Sequence, residues 1–151
     1  MRTQHTGHPH TDLHDVHEPH ERTALRKRPE AAAHARRRTR RFLDRLRPPM
    51  SGEDAANVEL VVSELVTNAV RHARGPFCTL QLRALPDGIV VTVGDADRRP
   101  PHERAPDLLD GTGGFGWPMV RRLSRTVTVT PAPGGKSVRA TVPRGSGRGP
   151  R

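Results

Sequence analysis

The stretch ELVTNAVRHA, residues 64–73, decides how this chain is read. At about 100° per residue, Glu64 and Asn68 stand within about 40° of each other on a helix. Arg71 falls nearly in line with Glu64, and His72 lies one turn beyond Asn68. Val58, Val62, Leu65, Ala69 and Ala73 gather on another face. The helix is therefore two-sided: one stripe packs, and the other presents Glu, Asn, Arg and His. A helix serving only as core filler would place Ala or Leu at 64 and 68.

Working outward, Ser51 followed by Asp54 resembles a capping box, and Gly75-Pro76 is a stop, so this helix is expected from about Glu53 to Ala73. Upstream, Pro29 suits a first helical turn. Apolar or small residues at 31, 35, 39, 42, 43 and 46 keep helical spacing, with arginines covering the other face. RPPMSG (47–52) breaks that helix, and TALRKR (23–28) reads as a short edge strand. Downstream, FCTLQLRAL (77–85) and IVVTVGD (89–95) alternate as strands around the turn PDG. Residues 113–123 run from glycines into a helix. RTVTVTP (125–131) and KSVRATVP (136–143) close the pattern as a second hairpin. The expected fold class is α+β: a two-layer α/β sandwich with helices on one face of a mixed, mainly antiparallel sheet.

Composition limits the alternatives. With 151 residues and 32% apolar content, the chain has material for one modest core. A single cysteine, Cys78, excludes an internal disulfide framework and a cysteine-based zinc cluster, and fits a reducing cytosol. No apolar run reaches the roughly 20 residues of a membrane span, and the first residues do not read as a signal peptide. Residues 1–21 hold six of the nine histidines without apolar periodicity and read as a disordered tail, as do residues 144–151. The net charge of +10 fits an Arg-rich composition or binding to acidic partners, and only ARRRTRR (35–41) is dense.

Three elements carry chemistry. Glu64 beside the Asn68 amide oxygen is a hard-oxygen environment suited to Mg²⁺ held partly through water, or a carboxylate placed to take a proton; a solvated helix face shows the same spacing. GTGGFGWPMV (111–120) brings glycines into a helix start, where backbone N–H groups can approach a phosphate; a glycine turn ending a loop reads alike. Asp95 ends an apolar strand, where a carboxylate can accept from an exocyclic amine or simply begin a turn.

In this order the three resemble the GHKL superfamily, the ATP-binding domain shared by gyrase-type ATPases and histidine kinases. Within it the resemblance is closest to bacterial anti-sigma-factor serine/threonine kinases and their actinobacterial relatives. It covers about residues 22–143. VVSELVTNAVRHA resembles the family's N-box, VTVGDADRRPP the adenine motif, GGFGWPMV the second glycine motif, and PGGKSVRATVP the closing hairpin. The resemblance implies the Bergerat ATP-binding fold, with ATP and Mg²⁺ as cofactors. Glu64 would be the general base and Asn68 the Mg²⁺ ligand. Asp95 would take the adenine amine. Gly113, Gly114, Phe115 and Gly116 would hold phosphates, with Arg71 and His72 beside the nucleotide and residues 98–112 as the lid. It further implies a cytoplasmic protein whose partners are a sigma factor and a STAS-type anti-sigma-factor antagonist, with no membrane or direct nucleic acid; relatives commonly pair, which leaves a homodimer open.

Two departures stand out. The family's Asp-x-Gly-x-Gly is DADRR here, and Pro118 follows the second glycine motif. The functional reading is phosphoryl transfer from Mg²⁺-ATP to a serine or threonine of the antagonist. A nucleotide-binding module that sequesters a partner without chemistry is the alternative. A basic DNA-binding regulator is a third reading, for which no recognition-helix pair is found.

Overall fold

The computed structural model describes residues 18–72, 75–95, 116–132 and 135–145. The elements in chain order are β1 (His20–Arg26), α1 (Ala31–Asp44), α2 (Gly52–His72), β2 (Phe77–Leu85), β3 (Gly88–Asp95), α3 (Gly116–Leu123), β4 (Thr126–Ala132) and β5 (Gly135–Pro143). The strands form one sheet in the order β1-β2-β3-β5-β4. All four pairings are antiparallel. The expected helix-on-sheet sandwich is thus observed, and among the described residues the sheet contains no parallel pair.

The core lies between the helices and one face of this sheet. Strand alternation sends Cys78, Leu80, Leu82 and Ala84 of β2 inward, together with Ile89, Val91 and Val93 of β3 and Ala140 and Val142 of β5. From α2 come Val58, Val61, Val62, Leu65, Val66 and Ala69, all buried. Removing each Val or Leu side chain from water contributes about 1.5–3 kcal/mol. α2 packs against both α1 and the sheet, which explains why its apolar arc includes Val61 and Val66 beyond the single stripe expected.

Helix α1 buries Ala31, Ala35, Thr39, Phe42 and Leu43, with Leu46 just past its end, the spacing read from the sequence. Thr39 is a polar residue at a core position, and its hydroxyl donates to the Ala35 carbonyl at 2.8 Å, so no polar atom is stranded. Pro29 precedes the N-cap Glu30 and stands outside the first turn. Three arginines of α1 and the C-cap Arg45 are tied down. Arg40 donates twice to Glu59 of α2, Arg36 donates to Ser63, and Arg38 and Arg45 reach Glu21 of β1.

At the start of α2, the Ser51 hydroxyl accepts from the Asp54 N–H at 3.1 Å. The second half of the expected capping box is absent: the Asp54 carboxylate instead accepts from the Gly145 N–H at 3.2 Å.

Two boundaries differ from expectation. β1 begins at His20, three residues early, because Glu21 faces the helix side and finds Arg38 and Arg45 there. Histidine 20 therefore belongs to the sheet and not to the tail; the other five tail histidines lie outside the described residues. At the other end, Arg144 is 8% exposed and donates to the carbonyls of Pro48 and Leu85, so residues 144 and 145 are part of the packed domain. At the β2–β3 turn, Asp87 pairs with Arg125 at 2.8 Å, and that guanidinium holds its carboxyl below the usual range.

Candidate functional site

The C-terminal half of α2 carries the polar stripe. Glu64 and Asn68 are half-buried one turn apart, and Arg71 is exposed. His72 is the last residue of α2. Among the described residues, neither the Glu64 carboxylate nor the Asn68 amide has a side-chain hydrogen bond or ion pair to another described residue. Five residues upstream on the same helix, Glu59 accepts two bonds from Arg40 at Oε1.

Helix α3 starts at Gly116, directly against Glu64. A Cβ added at Gly116 would lie 2.9 Å from Glu64 Cδ and closer still to Oε2. Real Cβ atoms do not approach that closely, so this glycine lets the first turn of α3 sit against the carboxylate of α2. Val120 is fully buried and anchors α3 to the core, and Arg121 lies over the Trp117 ring at 5.6 Å. Pro118 is exposed in the first helical turn, where its missing N–H breaks no intrahelical bond. The N–H groups of such a first turn have no intrahelical acceptor, and the helix dipole adds positive potential there.

Asp95 ends β3. By alternation with Ile89, Val91 and Val93 it lies on the helix side of the sheet, half-buried. Its register partners are Cys78 on β2 and Lys136 on β5. Burial pushes the Cys78 thiol up; Lys27 pulls it down and Asp95 pushes it up again, so both charges are close enough to act on that sulfur.

The sequence reading missed three features. Lys136 stands across from Asp95, Cys78 stands on its other side, and Gly116 meets Glu64 directly. Strand parity carried the signal for the first two: pairing KSVRATVP with IVVTVGD end to end brings Lys136 to Asp95. The contact between Gly116 and Glu64 depends on how α3 packs, which no local spacing encodes. Gly113, Gly114, Phe115 and the lid segment 98–112 lie outside the described residues.

Three described helices on one side of an antiparallel sheet define a two-layer α/β sandwich, with a carboxylate and an amide beside a glycine-opened helix. The profile of the histidine kinase-like ATPase domain matches residues 25–142, and the chain belongs to that family. As a member it is an ATP-binding domain. No curated protein matches the chain. Among solved structures, the histidine kinase domain of the blue-light activated histidine kinase from Erythrobacter litoralis EL346 is 30% identical, with a TM-score of 0.45. That match covers 60% of this chain and 45% of the other, so the chain corresponds to less than half of that relative. No described helix is long and apolar enough to cross a membrane.

Proposed function

We propose that this chain is a cytoplasmic anti-sigma regulatory factor that binds Mg²⁺-ATP and phosphorylates a serine or threonine of a STAS-type antagonist. The observation that carries the reading is the approach of Gly116 to Glu64, which sets a helix N-terminus beside an unengaged carboxylate. The donors fit the cofactor. Glu64 and Asn68 offer hard oxygens, and among the described residues no cluster of three or more His, Cys, Asp or Glu could hold a metal. Mg²⁺ would therefore be held by Asn68 with water and phosphate oxygens completing its shell. Bound Mg²⁺-ATP supplies the phosphoryl group and neutralises its charge.

The chain's residues then divide the work. Asp95 accepts a hydrogen bond from the adenine amine. The first turn of α3 faces the phosphates, with Arg71 beside it; by the family resemblance, Gly113, Gly114 and His72 are assigned to the same group. Glu64 takes the proton of the incoming hydroxyl as its oxygen bonds to the γ-phosphorus and ADP leaves. A sigma factor is the protein held when the antagonist is not engaged.

The test is a titration with ATP, with and without Mg²⁺, followed by phosphate transfer to STAS-type domains. Asn68→Ala is expected to abolish Mg²⁺-dependent binding without changing the melting temperature; normal binding by that variant overturns the site. GTP should bind roughly ten- to a hundredfold more weakly than ATP, because the guanine carbonyl, itself an acceptor, cannot donate to Asp95. A wild-type chain that binds ATP yet phosphorylates no antagonist would replace the kinase by a partner-sequestering module. Pro118, which removes one N–H from the first turn of α3, supports that second reading.

A further inference from the structure

All three helices pack on one face of the sheet, and among the described residues no element packs on the other. That open face is unusual in charge. Its exposed positions include Arg22 and Arg26 of β1, Arg83 of β2 and Arg139 of β5. Between them on the same face lie Thr79, Gln81, Val90, Thr92 and Gly94 in the centre, and Ser137 and Thr141 on β5; Gln81 is exposed and Val90 is buried. Among the described residues no strand contributes an Asp or Glu to this face. The register makes Arg22, Gln81, Thr92 and Arg139 one row across four strands. Three strand spacings separate the two arginines, roughly 14 Å.

The helix side shows that this chain readily pairs its arginines. Arg40 has Glu59, and Arg38 and Arg45 share Glu21. Among the described residues of the open face, only Arg83 has a carboxylate nearby, Glu18 at 3.7 Å, with both side chains exposed. A cluster of like charges over a flat hydroxyl floor costs self-repulsion that a partner of opposite sign removes. We propose that this face docks an acidic protein segment, laid extended over the threonine floor between Arg22 and Arg83 on one side and Arg139 on the other. Guanidinium forks match carboxylates two oxygens at a time. Nucleic acid fits less well. Base stacking needs several aromatic platforms, and among the described residues this face offers only Phe77, with the Arg26 guanidinium 5.5 Å from its ring, and the His20 imidazole. A flat sheet also offers nothing that protrudes into a duplex groove.

The inference is independent of the nucleotide site, and its test uses the full chain without nucleotide. Binding of a fluorescent 12-residue polyglutamate peptide is measured by anisotropy for wild type and two triple variants. One carries Arg22→Gln, Arg83→Gln and Arg139→Gln. The other carries Arg37→Gln, Arg41→Gln and Arg122→Gln, removing the same charge elsewhere. The face variant is expected to bind about tenfold more weakly, and the control to stay within about threefold of wild type. Equal losses in both overturn the proposal, because net charge alone then explains binding. A 12-nucleotide oligothymidine that binds more tightly than the peptide, with the same dependence on face arginines, also overturns it. If the face variant loses the wild-type melting transition, Arg22→Gln and Arg139→Gln are compared singly under the same criteria.

Discussion

The two halves of α2 treat their polar side chains in opposite ways. From its cap to Ser63, four polar side chains are engaged: Ser51 caps, Asp54 takes the Gly145 N–H, Glu59 takes two bonds from Arg40, and Ser63 takes Arg36. In the second half Glu64 and Asn68 are half-buried, and no described side chain engages either. A half-buried carboxylate that forgoes an ion pair gives up stability, and the arginine-rich α1 had partners to offer. Under the proposed function, the difference separates residues that hold the fold from residues that meet the nucleotide.

The largest expected effect falls on Glu64. Glu64→Ala should keep ATP affinity within about tenfold while losing at least about 10²-fold in phosphate transfer, since general-base help contributes roughly 10²–10⁴-fold. Equal transfer rates for variant and wild type would remove Glu64 from the base role. Next comes Gly116→Ala, which drives a methyl into the Glu64 carboxylate and should cost about 1–3 kcal/mol of stability. Adding Glu64→Ala should restore most of that loss, as measured by urea unfolding. No rescue in the double variant would mean that the close approach is not what Gly116 serves.

The engaged half should respond weakly and only in stability. Arg40→Ala breaks a pair whose arginine is 65% exposed, worth about 0.2–1 kcal/mol, and should leave ATP affinity unchanged. A fall in ATP affinity without a fall in stability would blur the division between the halves. The smallest effect is expected from deleting residues 1–17, which should alter neither melting temperature nor ATP affinity. Deleting 1–23 instead removes the Glu21 that Arg38 and Arg45 share, along with half of β1, and should lower the melting temperature.

Local periodicity carried much of this structure. The α1 spacing at 31, 35, 39, 42 and 43 and the α2 positions 58, 62, 65 and 69 are all buried. The strand 77–85 begins and ends where alternation placed it. What escaped was long-range. Glu21 looks like a tail residue until α1 supplies arginines from across the sequence. Arg144 looks like a tail residue until the Pro48 carbonyl appears beside it. At the candidate site, the Glu-Asn spacing was legible because both residues share one helix. The packing of α3 on Glu64 and the pairing of Lys136 with Asp95 were not considered, because they join segments far apart in sequence.

The sheet order also shapes how the chain is born. β1 is the first strand synthesised, yet Arg26 pairs with Phe77 and His20 with Arg83. At about 5–20 residues per second, β1 leaves the ribosome several seconds before its partner exists. α1 and α2 have local hydrogen bonds and each other, so they can pair during that wait. β4 has no such delay, because Thr126–Ala132 folds back onto β5 through a short connection. A translational pause inside α2 therefore lengthens the wait of the finished β1 for its partner, whereas the β4–β5 hairpin closes as soon as it is made.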